Sequence, residues 1–310
     1  MSGLTAAAAP VTREGGQFLL SEGDFTALAR FIHARTGIHM PPAKRVLMQT
    51  RLAKRLRARG LDGFAAYRRL IESGADAQEV GAMISALTTN VTRFRREPHH
   101  FDHIARTVLP DLVARARAGK RVRLWSAGCA TGEEPYTLAF CLLAAFPDAT
   151  SHDVRILATD LDPEALRTAE AGLYREDALA PLAPEERSRH FTRAPGRPGF
   201  WAVGDAARAL IRFRRLNLIE DWPFTGGFDI ILCRNVVIYF DQATQDQLWR
   251  RFAAQQRRAG DRLYIGHSES LSETARKLYR AVDGTGFMRT ATPADAGAGP
   301  PRPPQQAGER

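Results

Sequence analysis

Few cysteines, no long apolar run and no base-flipping signature mark this chain first by what it leaves out. The three cysteines, Cys129, Cys141 and Cys233, show no metal-ligand spacing, so no metal is expected. An odd count in apolar settings predicts reduced, buried thiols and a cytoplasmic protein. No run of about 18 apolar residues occurs, so no spanning helix is expected. Met1 to Pro10 is Ala-rich but has neither a basic region nor a long apolar core, and makes a poor signal peptide. Asn-Pro-Pro-Tyr, which would point to a nucleic-acid methyltransferase, is missing. The composition is otherwise that of a globular protein, with 44% hydrophobic and 25% charged residues over 310 positions. That length allows two domains.

Charge is present but uneven. Residues 21–120 carry 18 Lys and Arg against 9 Asp and Glu, while residues 121–310 carry 25 against 24. The basic excess therefore precedes residue 121 and points to an acidic partner: nucleic acid, an anionic membrane surface or an acidic protein helix. Residues 1–20 read as a disordered lead. Helical patterns follow around Phe25 to Ile32, Ala43 to Arg59, Phe64 to Ile71 and Val80 to Leu87. The second carries Lys44, Arg45, Arg51, Lys54, Arg55, Arg57 and Arg59, with few acids interleaved to pair with them and no aromatics for stacking bases. Residues 21–92 are thus an all-α, basic recognition domain, and residues 93–120 a linker with a long helix from about His100 to Arg117.

The rest is organised around Val122 to Tyr136. An apolar strand runs into a small-residue turn, Ser126 to Gly132, and a helix starts with Glu133, Glu134 and Pro135. Glycines at 128 and 132 depart from the Gly-x-Gly-x-x-Gly dinucleotide fingerprint. Small residues there let backbone approach a ligand. The two carboxylates would repel a pyrophosphate and suit a cation, and S-adenosylmethionine fits, having a sulfonium, an ammonium and no phosphate. Val154 to Thr159 is a second strand, and Asp160 at its end is placed for ribose hydroxyls. Further strands are expected over Phe228 to Cys233, Asp261 to Gly266 and, at an edge, Gly286 to Arg289. Residues 121–290 therefore read as α/β, a Rossmann-like S-adenosylmethionine-binding domain. The Gly/Pro-rich stretch over about 191–213 reads as a small antiparallel β insertion without helix. The tail, 291–310, reads as disordered.

Four segments stand in order: Thr-Thr-Asn-Val-Thr-Arg-Phe-Arg-Arg-Glu, Gly-Cys-Ala-Thr-Gly-Glu-Glu-Pro-Tyr, Ala-Thr-Asp-Leu-Asp and Cys-Arg-Asn-Val-Val-Ile-Tyr-Phe. With Gly-His-Ser-Glu, they resemble the CheR-type chemoreceptor glutamate methyltransferases over roughly residues 22–290. The resemblance implies S-adenosylmethionine as donor, S-adenosylhomocysteine as product, and glutamates on the cytoplasmic helices of a chemoreceptor as substrate, in a cytoplasmic enzyme recruited to receptor arrays. It implies cofactor contacts at Asn90, Thr92, Arg96, Gly128, Glu134, Asp160, Asn217, Leu218, Arg234 and Asn235. It places Arg96 and Tyr239 toward the transferred methyl. The β insertion resembles a receptor-docking subdomain that holds a receptor-tail peptide in some members. Arg95 stands where the family often has an aromatic, and is expected to add a cation near the site. Arg51, Arg55 and Arg59, at i, i+4 spacing, are the expected face for acidic receptor helices. Two other readings stay open: a non-catalytic cofactor-sensing adaptor on the same fold, and a methyltransferase for another acidic or nucleic-acid substrate.

Overall fold

A computed structural model describes residues 13–14 and 17–290. The tail expected at 291–310, and residues 1–12 and 15–16 of the lead, lie outside them. Two compact units divide at Thr89 and Asn90.

The first unit opens on a short antiparallel pair, β1 (Arg13–Glu14) and β2 (Gln17–Phe18). This corrects the expectation of disorder throughout residues 1–20: Phe18 and Leu20 are buried and anchor the segment. Helices α1 (Glu22–Thr36), α2 (Arg45–Ala58), α3 (Phe64–Glu72) and α4 (Ala77–Leu87) follow. Ser21 caps α1 by accepting from the Asp24 amide, and Gly37 ends it at φ 74°. Leu28, Ile32, Met48, Leu52, Leu56, Tyr67, Ile71 and Met83 fill the core.

The basic helix α2 is not a face of unpaired cations. Arg55 donates to both oxygens of the buried Glu79 carboxylate, at 3.0 and 2.6 Å, and the Tyr67 hydroxyl donates to the same group at 2.9 Å. Arg59 pairs with Asp76 at 2.6 Å. Arg51 donates to the carbonyls of Leu87 and Thr88, both at 2.9 Å, closing the end of α4. The acids that answer α2 come from α4 and its capping residue Asp76, not from α2 itself. The expected receptor face of Arg51, Arg55 and Arg59 is therefore engaged inside the unit. Lys54 and Arg57 are exposed on α2, beside the exposed Val46 and Leu47.

The second unit begins with α5 (Pro98–His103), a π-helical turn over Ile104–Val108, and α6 (Leu109–Arg117). The single expected helix is interrupted because Pro110 lacks an N–H and its ring crowds the preceding turn. Next come β3 (Val122–Ala127), α7 (Glu133–Ala145), β4 (Val154–Asp160), α8 (Pro163–Ala171), β5 (Leu173–Arg175), α9 (Pro184–His190), β6 (Phe191–Arg193), β7 (Phe200–Val203), α10 (Asp205–Leu210) and β8 (Ile211–Arg215). β9 (Ile230–Cys233), α11 (Gln242–Gln255), β10 (Arg262–Ile265), α12 (Glu273–Arg276), β11 (Tyr279–Asp283) and β12 (Gly286–Arg289) complete it.

A seven-stranded sheet runs β11-β12-β10-β9-β3-β4-β8. Its five strands from β10 to β8 are parallel, and β11 and β12 are antiparallel additions. Gly286–Arg289 is thus not the edge, because β11 lies outside it. The small sheet, β5-β7-β6, starts earlier than expected, at Leu173, and ends at Val203. Asp205–Leu210 is helix, and Ile211–Arg215 already belongs to the main sheet, beside β4. Chain order reverses at β3: the path leaves through α7 to β4 on one side, and β9 lies on the other. The crevice outside the carboxyl ends of β3 and β9 is where such sheets bind ligands.

Candidate active site

Three strand ends and one polar segment converge on that crevice. After β3, the Gly128 and Cys129 amides both donate to the Thr159 carbonyl, at 2.8 and 2.9 Å, tying the turn to β4. At the end of β4, Asp160 accepts from the Ala130 amide at 2.8 Å and the Asp162 amide at 2.9 Å. Burial pushes its carboxyl above the ordinary range, against the pull of those amides. Asp162 caps α8 through the Glu164 amide and receives the Asn90 side-chain amide at 2.5 Å. The polar segment Asn90–Glu97 is thereby fastened by Asn90 to the start of α8.

The glycines of the turn have a packing reason as well as a ligand one. Gly128 has φ 88°, and a Cβ there would lie 2.3 Å from the Val236 Cγ2. Gly132 has φ 98°, and its Cβ would meet Ala169 and the Tyr174 hydroxyl, both at 2.8 Å.

Across the crevice, Glu134 accepts from the Ser126 hydroxyl at 2.7 Å and from Arg234 at 3.1 Å. Arg234 is buried; it also donates to the Arg96 carbonyl and lies 3.5 Å from Glu97. Burial pushes the Glu134 carboxyl up, and Arg234 opposes the shift. Glu97 is drawn down to about 2: burial raises it, but His267 and Arg234 outweigh that. Burial lowers His100 to about 3, so this imidazole is neutral; its Nε2 lies 2.7 Å from the Thr285 hydroxyl.

Asn235 has φ 59°, and its side-chain oxygen is buried with no hydrogen-bond partner among the described residues. Arg95, Glu97 and Ala130 share such positive φ, and with Asn235 they are the non-glycine residues so strained among those described. All four lie on the segments that meet here, a concentration typical of functional sites.

The remaining expected residues are placed as follows. Thr92 is half-buried on the polar segment, and the Arg96 guanidinium donates to the Val91 carbonyl at 3.0 Å. Asn217 is buried; its oxygen accepts from the Ile219 amide, and its amide donates to Glu220. Leu218 is buried in the apolar cluster with Trp125 and Ile231. Tyr239 is half-buried on the 3-10 turn Val237–Tyr239. Arg95 turns away from the expected place: it forms a two-point pair with Glu186 of α9, at 3.1 and 2.7 Å.

Glu269, from the Gly-His-Ser-Glu segment, is the residue whose work the sequence reading did not find. Its carboxylate accepts four backbone amides, from Asn235 (3.0 Å), Val236 (2.8 Å), Val237 (2.9 Å) and Gly266 (2.6 Å). Glu97, His99 and His100 each bring one donor atom within 4.8 Å of the others, but Arg234 already faces that carboxylate.

The donor set fits S-adenosylmethionine better than a phosphate ligand. Carboxylates at 134 and 160 and the unpartnered Asn235 oxygen are acceptors for hydroxyl, amino and cationic groups. Residues 90–287 match the model for the S-adenosylmethionine-binding domain of the CheR methyltransferases, and residues 23–88 the model for their all-alpha domain. A probable chemotaxis protein methyltransferase of Rhizobium etli is 45% identical over 84% of this chain and 97% of its own length. The chemotaxis protein methyltransferase of Escherichia coli is 39% identical over 84% of this chain and 88% of its own length.

Proposed function

We propose, from the premise that this chain belongs to the family of CheR methyltransferases, that it methylates glutamate side chains on the cytoplasmic helices of a chemoreceptor. It is an S-adenosylmethionine-dependent methyltransferase of the chemotaxis class. The observation that supports this reading best is the crevice at the β3 and β9 ends, lined by Asp160, Glu134 and the unpartnered Asn235 oxygen.

When bound, S-adenosylmethionine supplies a methyl group made electrophilic by its sulfonium. The chain's own part is to hold, orient and dry the reactants. Asp160 takes the ribose hydroxyls with the lone pairs that Ala130 and Asp162 leave. Gly128 lets the backbone approach, and Asn90, Thr92, Glu134, Asn217, Leu218, Arg234 and Asn235 line the donor's site. A substrate carboxylate is ionised near neutral pH, with a pKa of about 4.3, so no strong base is required. Arg96 and Tyr239 are proposed to orient that carboxylate; Arg96 spends only one nitrogen on Val91. The three-stranded sheet β5-β7-β6 is the proposed place for a receptor-tail peptide. Work in the cytoplasm at receptor arrays completes the proposal.

Calorimetric titration with S-adenosylmethionine tests the site. Asp160→Ala is expected to weaken binding about thirtyfold, roughly 2 kcal/mol. Transfer to a receptor cytoplasmic domain should yield a base-labile methyl ester. Absence of binding by the unaltered protein overturns the reading. Binding without transfer to any receptor domain favours an adaptor.

A second expectation concerns α2. Reversing the exposed Lys54 and Arg57 to Glu should raise KM for the receptor about fivefold through lost steering, with donor affinity unchanged. Reversing Arg55 or Arg59 instead breaks an internal ion pair, a larger cost in stability than the Arg57 contact over the Phe18 ring, 5.7 Å away, that the first variant gives up. An unchanged receptor KM in the Lys54/Arg57 variant removes the steering role.

A further inference from the structure

Three charged side chains stand in a row beside the crevice: Glu134, Arg234 and Glu97. Arg234 Nη1 lies 3.1 Å from Glu134, and its Nη2 3.5 Å from Glu97. One guanidinium is shared by two carboxylates. The three side chains by themselves sum to one negative charge; the His267 ring, 2.8 Å from Glu97, adds a positive one only when protonated.

We propose that Glu97 is a specificity-determining residue that tunes this site toward the cationic methyl donor over its neutral-sulfur product. The inference rests on the methyltransferase reading above. Its logic is charge count. With Glu97 present, the positive charge of Arg234 is answered from the far side, and the charge on Glu134 stays available to a cation. Without Glu97, Glu134 and Arg234 form a neutral pair. S-adenosylmethionine carries a net positive charge from its sulfonium, ammonium and carboxylate; S-adenosylhomocysteine has lost the sulfonium charge. A change of one elementary charge beside the pocket therefore acts on the two ligands unequally.

The structure holds Glu97 to this place at a cost. Its backbone sits at φ 53°, a strained region for a residue with a Cβ. His267 fixes one carboxylate oxygen, through Nδ1 at 2.8 Å and its amide at 3.4 Å. The other oxygen faces Arg234, and the His100 Nδ1 lies 3.6 Å from it. Phe101 covers the guanidinium, its ring centre 5.3 Å from the central carbon. With 1% of the Arg234 side chain exposed, solvent screens the row weakly.

The test is calorimetry of both ligands with the full-length protein and its variants. Glu97→Gln is expected to weaken S-adenosylmethionine about tenfold and S-adenosylhomocysteine no more than about twofold. Glu97→Asp keeps the charge and should keep the ratio of the two affinities. Equal loss for both ligands in Glu97→Gln, or no loss for either, overturns the proposal in favour of a merely structural role. If Glu97→Gln does not fold, Arg234→Gln changes the count in the opposite sense: preference for S-adenosylmethionine then rises, and a fall or no change overturns the proposal. Failure of the unaltered protein to bind either ligand would instead strike the methyltransferase reading itself.

Discussion

Glu269→Gln is expected to cost about 3–5 kcal/mol of stability and to lower methyl transfer about a hundredfold. One carboxylate oxygen serves Val236 and Val237, and the other serves Asn235 and Gly266. An amide in its place has one oxygen and one nitrogen. Whichever way it turns, two buried backbone amides lose their acceptor and face another donor. Each such group costs about 1–3 kcal/mol. The functional loss follows from the same contacts. They hold the backbone of Asn235 at positive φ, next to Arg234, and a Cβ at Gly266 would lie 2.8 Å from the Asn235 amide. Released, this segment no longer presents Arg234 and Asn235 together. Urea unfolding, followed by turnover at a temperature where both forms are folded, checks both parts. A variant as stable as the parent would show that other groups satisfy the two amides left without the carboxylate oxygen.

Where sequence and structure agree, the signal is local. The strand-turn-helix from Val122 and the acid at the end of the second strand carry their pattern within a few residues, so the places of Gly128, Glu134 and Asp160 at the strand ends are legible. What escaped depends on partners far apart in the chain. Arg55 meets Glu79 from 24 residues away, and Glu269 reaches Asn235 from 34. No pattern within α2 reveals Glu79, so its cations looked unpaired. Arg95 is answered by Glu186, 91 residues on. The extent of the small sheet is illegible locally for another reason. Glycine and proline mark the turn at 195–199, but β5 has only three residues and α10 only six, too short for either periodicity.

Gly128→Ala is the second large effect, expected to cost about 4 kcal/mol, and it separates two causes for one glycine. The first cause is backbone: φ 88° penalises any residue with a Cβ, by about 1–2 kcal/mol. The second is packing, since the new carbon falls 2.3 Å from the Val236 Cγ2. Val236 cannot simply withdraw, because its amide is held by Glu269 at 2.8 Å and its side chain has a single torsion. Val236→Ala removes the clashing methyl and alone should cost only about 1 kcal/mol, its side chain being half-buried. The double variant Gly128→Ala/Val236→Ala should then retain only the backbone cost and the small Val236 loss. A double-mutant cycle by urea unfolding is expected to show about 2 kcal/mol of favourable coupling. Donor binding divides the same way. If the Cβ harms binding by pushing the Arg234–Val237 segment, the double variant recovers affinity for S-adenosylmethionine. If it harms binding by standing in the donor's own path, affinity stays low while stability returns. Strict additivity in the stability cycle would mean that Val236 does not constrain Gly128, and that the requirement for glycine is conformational alone.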